Sequence, residues 1–316
     1  MQDKNYNIFN VTRSDWKPPM TTVRMNDGTY SSKNSHMHAR FRAAWTAVFD
    51  RAGAAQQEDE ASTARARVEL ASESLKGLIK NTYVHTPLEL PELYGYHLFD
   101  QVSNMKTSAG GLDSFLMEDF KKLPLNLWNL RAEIENLGEL LQEWPQPQYV
   151  AYQAYATKEA DGNPLSTRPL RIYNLLNRIY VGARCKHIDT QQHKWLHPTV
   201  YGAVKNREVQ EPYLDLALDA ALADLQDLPF YGEFIDSIKH FDSYDHDVLQ
   251  EYMHYTGWNH PFVDRMVNMW KNQLVYDKIN HTYGTPYTPS NGLGQGCSFS
   301  LAVVKKTASE WCRLLD

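Results

Sequence analysis

Long apolar runs are missing from this sequence. No stretch reaches the roughly 18 consecutive apolar residues that a membrane-spanning helix needs, so no membrane partner is expected. Cysteine is scarce. Cys185, Cys297 and Cys312 lie far apart and form no metal-type pair, which excludes a disulfide framework and points to a reducing compartment. The first residues, MQDKNYNIFN, lack the charged-then-apolar pattern of a signal peptide. No repeat of fixed period is present. Positive charge is not in excess either: the formal net charge is −6, which by itself argues against a nucleic-acid partner.

The chain has 316 residues, enough for one large domain or two modest ones with a real core. Hydrophobic residues make up 42% and charged residues 22%, as in ordinary globular proteins, whereas aromatics at 12% are plentiful. The charge is unevenly spread. Residues 161–210 hold 8 Lys and Arg against 3 Asp and Glu, and residues 211–316 hold 7 against 15. A basic segment followed by an acidic one describes either two unrelated faces or an anion-binding surface beside a metal-binding one.

The patterning predicts an α+β fold with many helices around a small sheet. Residues 1–35 are polar, with Pro18, Pro19 and a turn cluster, and read as loop or partly disordered chain. Residues 36–105 form a helical N-terminal region, with helices over Ser35–Gly53 and Glu58–Lys80. Asp113 is placed to cap a helix, and Leu125–Trp144 has helical apolar spacing up to the prolines. Tyr149–Lys158 alternates and predicts a strand. The run from Arg168 to Ile188 is a basic amphipathic helix, or a strand followed by a helix. Pro212–Gln226 predicts a helix, Phe230–Asp236 a short strand, and Leu274–Pro289 a hairpin. A glycine-rich loop then leads into a last helix.

The stretch YGEFIDSIKHFDSYDHDVL places Asp236, Asp242, Asp245 and Asp247 where a strand is expected to end. An Asp at such a point is a common way to hold Mg²⁺, which takes few protein carboxylates and keeps positions open for water and phosphate oxygens. Taken alone, Asp236 is equally a turn residue and Asp245 a helix cap. In NGLGQGCSFSL, glycines allow close backbone approach and Gln295 offers a donor and an acceptor, yet a plain loop into a helix explains the same residues. Lys158 and Arg168 are candidate triphosphate ligands, or a surface lysine and an arginine paired to a nearby acid. Arg171, Arg178 and Arg184 fall on the following helix, where they track a nucleic-acid backbone or form its solvated face.

In order along the chain, these segments resemble the reverse transcriptases of the non-LTR retrotransposon and group II intron type. Asp236, Phe241, Asp242, Asp245 and His246 match the first catalytic motif, an Asp, three or four variable residues, an aromatic, an Asp and then Asp-His. Fifty-nine residues after Asp236, Gln295, Gly296 and Ser300 match the glutamine motif, with Gly294 and Ser298 where the family usually has prolines. Lys158 and Arg168 match the fingers segment. KTSAGGLDSF is similar to the Gly-Pro-Asp-Gly element, with Leu112 and Ser114 replacing the Pro and the second Gly. Tyr201, Gly202 and Arg207 match an aromatic-Gly-x-x-x-x-Arg segment. The resemblance runs from about Lys106 onward.

It implies a right-hand polymerase, with helix-rich fingers over residues 106–229 and a partial palm over 230–316. It also implies RNA-directed DNA synthesis from dNTPs on an RNA template and a DNA primer. Asp236 and the Ser237 carbonyl would bind Mg²⁺ (or Mn²⁺), and Phe241 would lie under the sugar of the incoming nucleotide. Gln295 and Gly296 would contact nucleotide and template, and Arg171, Arg178, Arg184 and Arg207 the nucleic acid. Asp242 and His246 are structural in the family. The family's aromatic-x-Asp-Asp hairpin has no counterpart before Asp316, so this chain alone is expected to have no useful turnover, and its palm sheet is expected to leave unpaired edges. A retroelement origin implies a nuclear site of action, although no targeting motif accompanies it. A non-catalytic RNA-binding remnant and a helical scaffold are the competing expectations.

Overall fold

The computed structural model describes residues 20–50, 61–81, 83, 87–107, 110–208, 210–237 and 239–315. The polar residues 1–19, the helix end expected at Gly53, the acidic helix start at 58–60 and Asp316 lie outside the described residues. The chain is α+β. A two-residue hairpin, β1 (Val23–Arg24) and β2 (Tyr30–Ser31), replaces the loop expected there. Helices α1 (Asn34–Phe49), α2 (Ala61–Ile79), α3 (Gly95–Asn104), α4 (Met117–Lys121) and α5 (Leu125–Leu141) follow. Then come β3 (Val150–Thr157), β4 (Thr167–Tyr173) and α6 (Leu175–Thr190), which resolves the basic run as strand then helix. Next are α7 (Gln210–Leu225), α8 (His246–Tyr255) and α9 (His260–Asn272). The described chain closes with β5 (Leu274–Ile279), β6 (Thr282–Tyr283) and α10 (Ser298–Leu315).

The main sheet has the order β4-β3-β5-β6. β3 pairs antiparallel with β4 and parallel with β5, and β5 turns into β6. Asn280 and His281 supply that turn with positive φ, 47° and 65°, which Asn tolerates because its short amide bonds locally. Met37, Phe41, Trp45 and Val48 recur at helical spacing on α1 and pack with Ile279 and Tyr155 against the sheet. Of the N-terminal helical region, α1 is thus built onto the sheet, whereas α2 packs on α8 and α3 on α5 and α6. The larger core lies among α3, α5, α6, α8, α9 and α10, around Trp128, Tyr180, Phe262, Trp270 and Phe299.

A buried ion pair locks α5 to α9. Arg265 Nη2 donates to Glu135 Oε2 at 2.7 Å, and its Nη1 donates to the Glu135 carbonyl at 3.0 Å. α5 ends as a left-handed cap, with Gln142 at φ 58° and Glu143 N donating to the Gly138 carbonyl. Asp113 does not cap a helix. α4 starts four residues later, and Asp119 accepts from Leu116 N at its first turn.

Two further expectations are corrected. Phe230–Asp236 is not a strand: the segment has no regular secondary structure, is exposed and has no sheet partner among the described residues. A strand is stable only when its backbone groups find a neighbour. The expectation of unpaired sheet edges is corrected in part: the edges are covered at several points. Arg171 N, on the outer side of β4, donates to the Gln295 carbonyl at 2.6 Å, and Pro169, two residues away on that side, has no N–H to offer. On the other side Val275 and Tyr287 exchange two backbone bonds, and β6 covers Lys278–Ile279.

Candidate nucleotide-binding site

The glycine loop before α10 is stitched to the turn that precedes α8. Gly292 N donates to the Tyr244 carbonyl at 2.7 Å and Leu293 N to the Phe241 carbonyl at 2.6 Å. Asn291 Nδ2 donates to the carbonyls of Asp242, at 2.6 Å, and Val48, at 2.9 Å. His246 Nε2 donates to the Gly292 carbonyl at 2.9 Å. Burial holds the His246 imidazole below its ordinary pKa, which suits this neutral, donating tautomer. Asp245 caps α8 as its position predicts, accepting from Asp247 N at 2.9 Å and Val248 N at 3.1 Å.

Glycine is required where the loop meets β4. A Cβ on Gly294 would lie 1.7 Å from Tyr173 Oη, and one on Gly296, at φ +129°, would lie 2.2 Å from the Arg171 carbonyl oxygen. The family pattern has a proline where Gly294 stands, and here Tyr173 and the Arg171 side chain fill that space.

At the centre, Gln295 Nε2 donates to both oxygens of Asp242, at 3.2 and 3.0 Å. Asp242 is buried, and burial raises its carboxyl above the ordinary value. Gln295, Arg171, Lys239 and Lys158 oppose that rise. Lys239 sits 4.2 Å from the centre of the Trp45 ring, and its ammonium donates to the Leu165 carbonyl at 2.9 Å. Burial and the neighbouring Lys158 lower the Lys239 pKa. The Lys158 backbone N–H donates to the Ser166 carbonyl at 2.8 Å, holding the β3–β4 turn. A buried carboxylate thus carries a half-buried amide and lies within the field of three cations.

The structure brings Gln295, Arg171 and Lys158 together around Asp242, with Gly296 and Phe241 in the same turn-and-loop unit. It does not bring Asp236 and Ser237 into that cluster by any hydrogen bond among the described residues; both are exposed on the unpaired segment. Arg168 is exposed on β4, opposite Ala156. Arg171 is corrected from the helix to β4, where it is buried and donates to Gln273 Oε1 at 3.1 Å and Gln153 Oε1 at 3.4 Å. Arg184 is also buried, with Nε and Nη2 on the Glu139 carboxylate at 2.6 and 2.7 Å, so it presents no solvated face. Arg178 is half-buried near Asp113 and Tyr152, and burial lowers its pKa. Arg207 donates to the carbonyls of Pro198 and Val200 at 2.7 and 2.6 Å and closes its own loop.

Two members of the cluster escape the sequence reading. Lys239 lies between Asp236 and Phe241, at a position the motif leaves variable, so nothing marked it. Asp242 was assigned to structure, and its contact with Gln295 depends on a residue 53 positions away. A second buried acid, Asp277 on β5, accepts from Tyr155 Oη at 2.7 Å and pairs with Arg42 at 3.1 Å. Its only sequence signal is an acid at an inward position of an apolar strand.

The residues present do not form a protein-built cage for two divalent ions. No group of three or more His, Cys, Asp or Glu side chains among the described residues is arranged to hold a metal, and the Asp242 oxygens are engaged by Gln295. No helix among the described residues is long and apolar enough to cross a membrane. No family model matches the chain, and no curated protein sequence matches it.

Proposed function

We propose that this chain is the fingers and first palm portion of a reverse-transcriptase-type RNA-directed DNA polymerase that binds nucleotide and primer–template but does not turn over by itself. One observation carries the reading. Three separately recognised segments, around Lys158–Arg171, Phe241–His246 and Gly292–Ser300, converge on the Asp242–Gln295 pair. Gln295 is half-buried, fixed through its amide nitrogen, and keeps its amide oxygen for a ligand. Lys158 and Arg168, exposed at the end of β3 and on β4, supply the positive charge that a triphosphate requires. A divalent ion would neutralise phosphate charge there, and Asp236, the carboxylate the resemblance assigns to it, lies exposed on the neighbouring segment and outside the cluster. Two ions held close together need more than one such ligand.

The test is paired. Binding of a labelled RNA–DNA primer–template and of dNTP is measured beside primer extension with Mg²⁺ or Mn²⁺. Binding without extension is expected, with Gln295→Ala weakening dNTP binding by about three- to tenfold, the loss of roughly one neutral hydrogen bond from a sugar hydroxyl or base N–H to the amide oxygen. Robust metal-dependent synthesis, abolished by Asp236→Ala, would overturn the inactive reading. Failure to bind either ligand would overturn the nucleotide site. The exposed, isolated position of Asp236 favours a second reading, a non-catalytic RNA-binding protein, in which RNA binding survives Asp236→Ala and dNTP has no effect.

A further inference from the structure

The β1–β2 hairpin, the first half of α1 and the β3–β4 turn enclose a polar cleft of about 350 Å³, lined by Arg24, Asn26, Gly28, Arg40, Asp161 and Asn163. Its walls are fixed by backbone contacts. Arg24 N donates to the Gly162 carbonyl at 2.9 Å, and Arg40 Nε donates to the Arg24 carbonyl at 3.1 Å. Gly162, at φ +72°, lets Tyr30 lie over the turn: a Cβ there would come within 2.7 Å of the Tyr30 ring.

Two arginines line this cleft and its one acid is engaged. Asp161 accepts from Asn163 N at 2.9 Å through Oδ1 and from Ser166 Oγ at 2.7 Å through Oδ2. These bonds, with a smaller contribution from Arg24, hold its carboxyl below the ordinary value, so it stays charged and committed to the turn. Asp27, at the hairpin tip, is committed likewise to Thr29. Among the described residues no carboxylate forms an ion pair with Arg24 or Arg40.

We propose that this cleft binds a phosphate-type oxyanion through Arg24 and Arg40. A guanidinium is a planar fork that meets phosphate oxygens with two parallel hydrogen bonds, and two forks line one cleft whose acid, although charged, spends its oxygens on Asn163 and Ser166 and forms no ion pair with either guanidinium. The Arg40 fork is held by its Nε bond, and among the described residues neither terminal nitrogen is given a hydrogen-bond partner. Both arginines lie before the segments that carry the polymerase resemblance, although Asp161 and Asn163 belong to the fingers segment, and the site stands whether or not that reading holds. Its phosphate comes either from a free phosphate ion or from the phosphodiester of a single strand.

The full chain is titrated with inorganic phosphate by calorimetry and with a labelled single-stranded RNA 12-mer by anisotropy at several salt concentrations. Wild type, Arg24→Gln, Arg40→Gln and Asp236→Ala are compared. Each arginine variant is expected to weaken phosphate binding at least tenfold, with Asp236→Ala unchanged. If a strand supplies the phosphate, phosphate competes with RNA, and the slope of log K against log salt falls by about 0.7 per lost contact. If the free ion does, the RNA slope stays put while phosphate affinity falls. Arg24 is exposed, so Arg24→Gln carries the test should Arg40→Gln unfold. Equal phosphate affinity and equal RNA slope in wild type and Arg24→Gln, or no binding of either ligand to wild type, would overturn the proposal.

Discussion

At Gly294 a single added methyl group has nowhere to go, because Tyr173 Oη and the Arg171 side chain already occupy the space it would fill. Gly294→Ala is expected to lower stability by about 1–3 kcal/mol, the usual range for overpacking, as read from chemical denaturation. Gly202→Ala, open on all sides, should change little. Protonation makes a second residue-scale statement. His246 is buried and its folded pKa lies below the unfolded value, so its contribution is complete above about pH 6.5. That stability is lost as pH falls from there toward the folded value. Asp242 has the opposite sign. Its folded pKa is raised, so its charged form costs stability above that value, and lowering the pH relieves the cost. Denaturation midpoints measured between pH 4 and 8 should therefore fall less steeply on acidification in His246→Gln, and gain less from acidification in Asp242→Asn.

Helices and strands differ in how far the sequence foretold them. β3 and α10 were legible because tyrosine-rich alternation marks the one and a glycine loop running into apolar periodicity the other, whereas the Asn174 cap that separates β4 from α6 was not read and left Arg168–Ile188 open. The Phe230–Asp236 strand was not, because alternation reports which side chains want burial and not whether a neighbouring strand exists. The candidate site divides on the same ground. Residue types in order marked Gln295 and Lys158, while Lys239 and the burial of Arg184 depend on contacts that no local pattern encodes. α7 and α9 give the sharpest contrast. α7 buries no side chain, whereas α9 buries seven residues, among them Phe262 and Trp270. An isolated helix of this length is marginal in water, so α7 amides should exchange with solvent orders of magnitude faster than those of α9. Equal protection of the two would mean that α7 is packed in solution. Between elements, Arg265→Met should cost about 3 kcal/mol, the low end for breaking a buried pair, because Glu135 loses one cation inside the core but keeps Arg131.

Taken whole, the molecule exposes apolar side chains on several elements, α5 among them, and most heavily on one stretch of chain. Leu214, Leu218, Leu222 and Leu225 on α7 are exposed, and Tyr231 and Phe234 beyond it are 88% and 85% exposed. A surface of this kind promotes association. Replacing Phe234 and Ile235 with Lys should reduce light scattering on concentration while leaving the thermal midpoint unchanged, since neither side chain is buried. A fall in the midpoint would show that the segment packs against the domain. The covered sheet edges decide what form such association takes. Arg171 N is already bonded, Pro169 has no hydrogen to give, and the far side of β5 is held by Tyr287 and β6. A second molecule therefore finds little backbone to zip onto. Contact between copies has to run through greasy side chains with no fixed register, which favours loose, salt-tolerant clusters that dissolve in mild detergent over ordered fibrils.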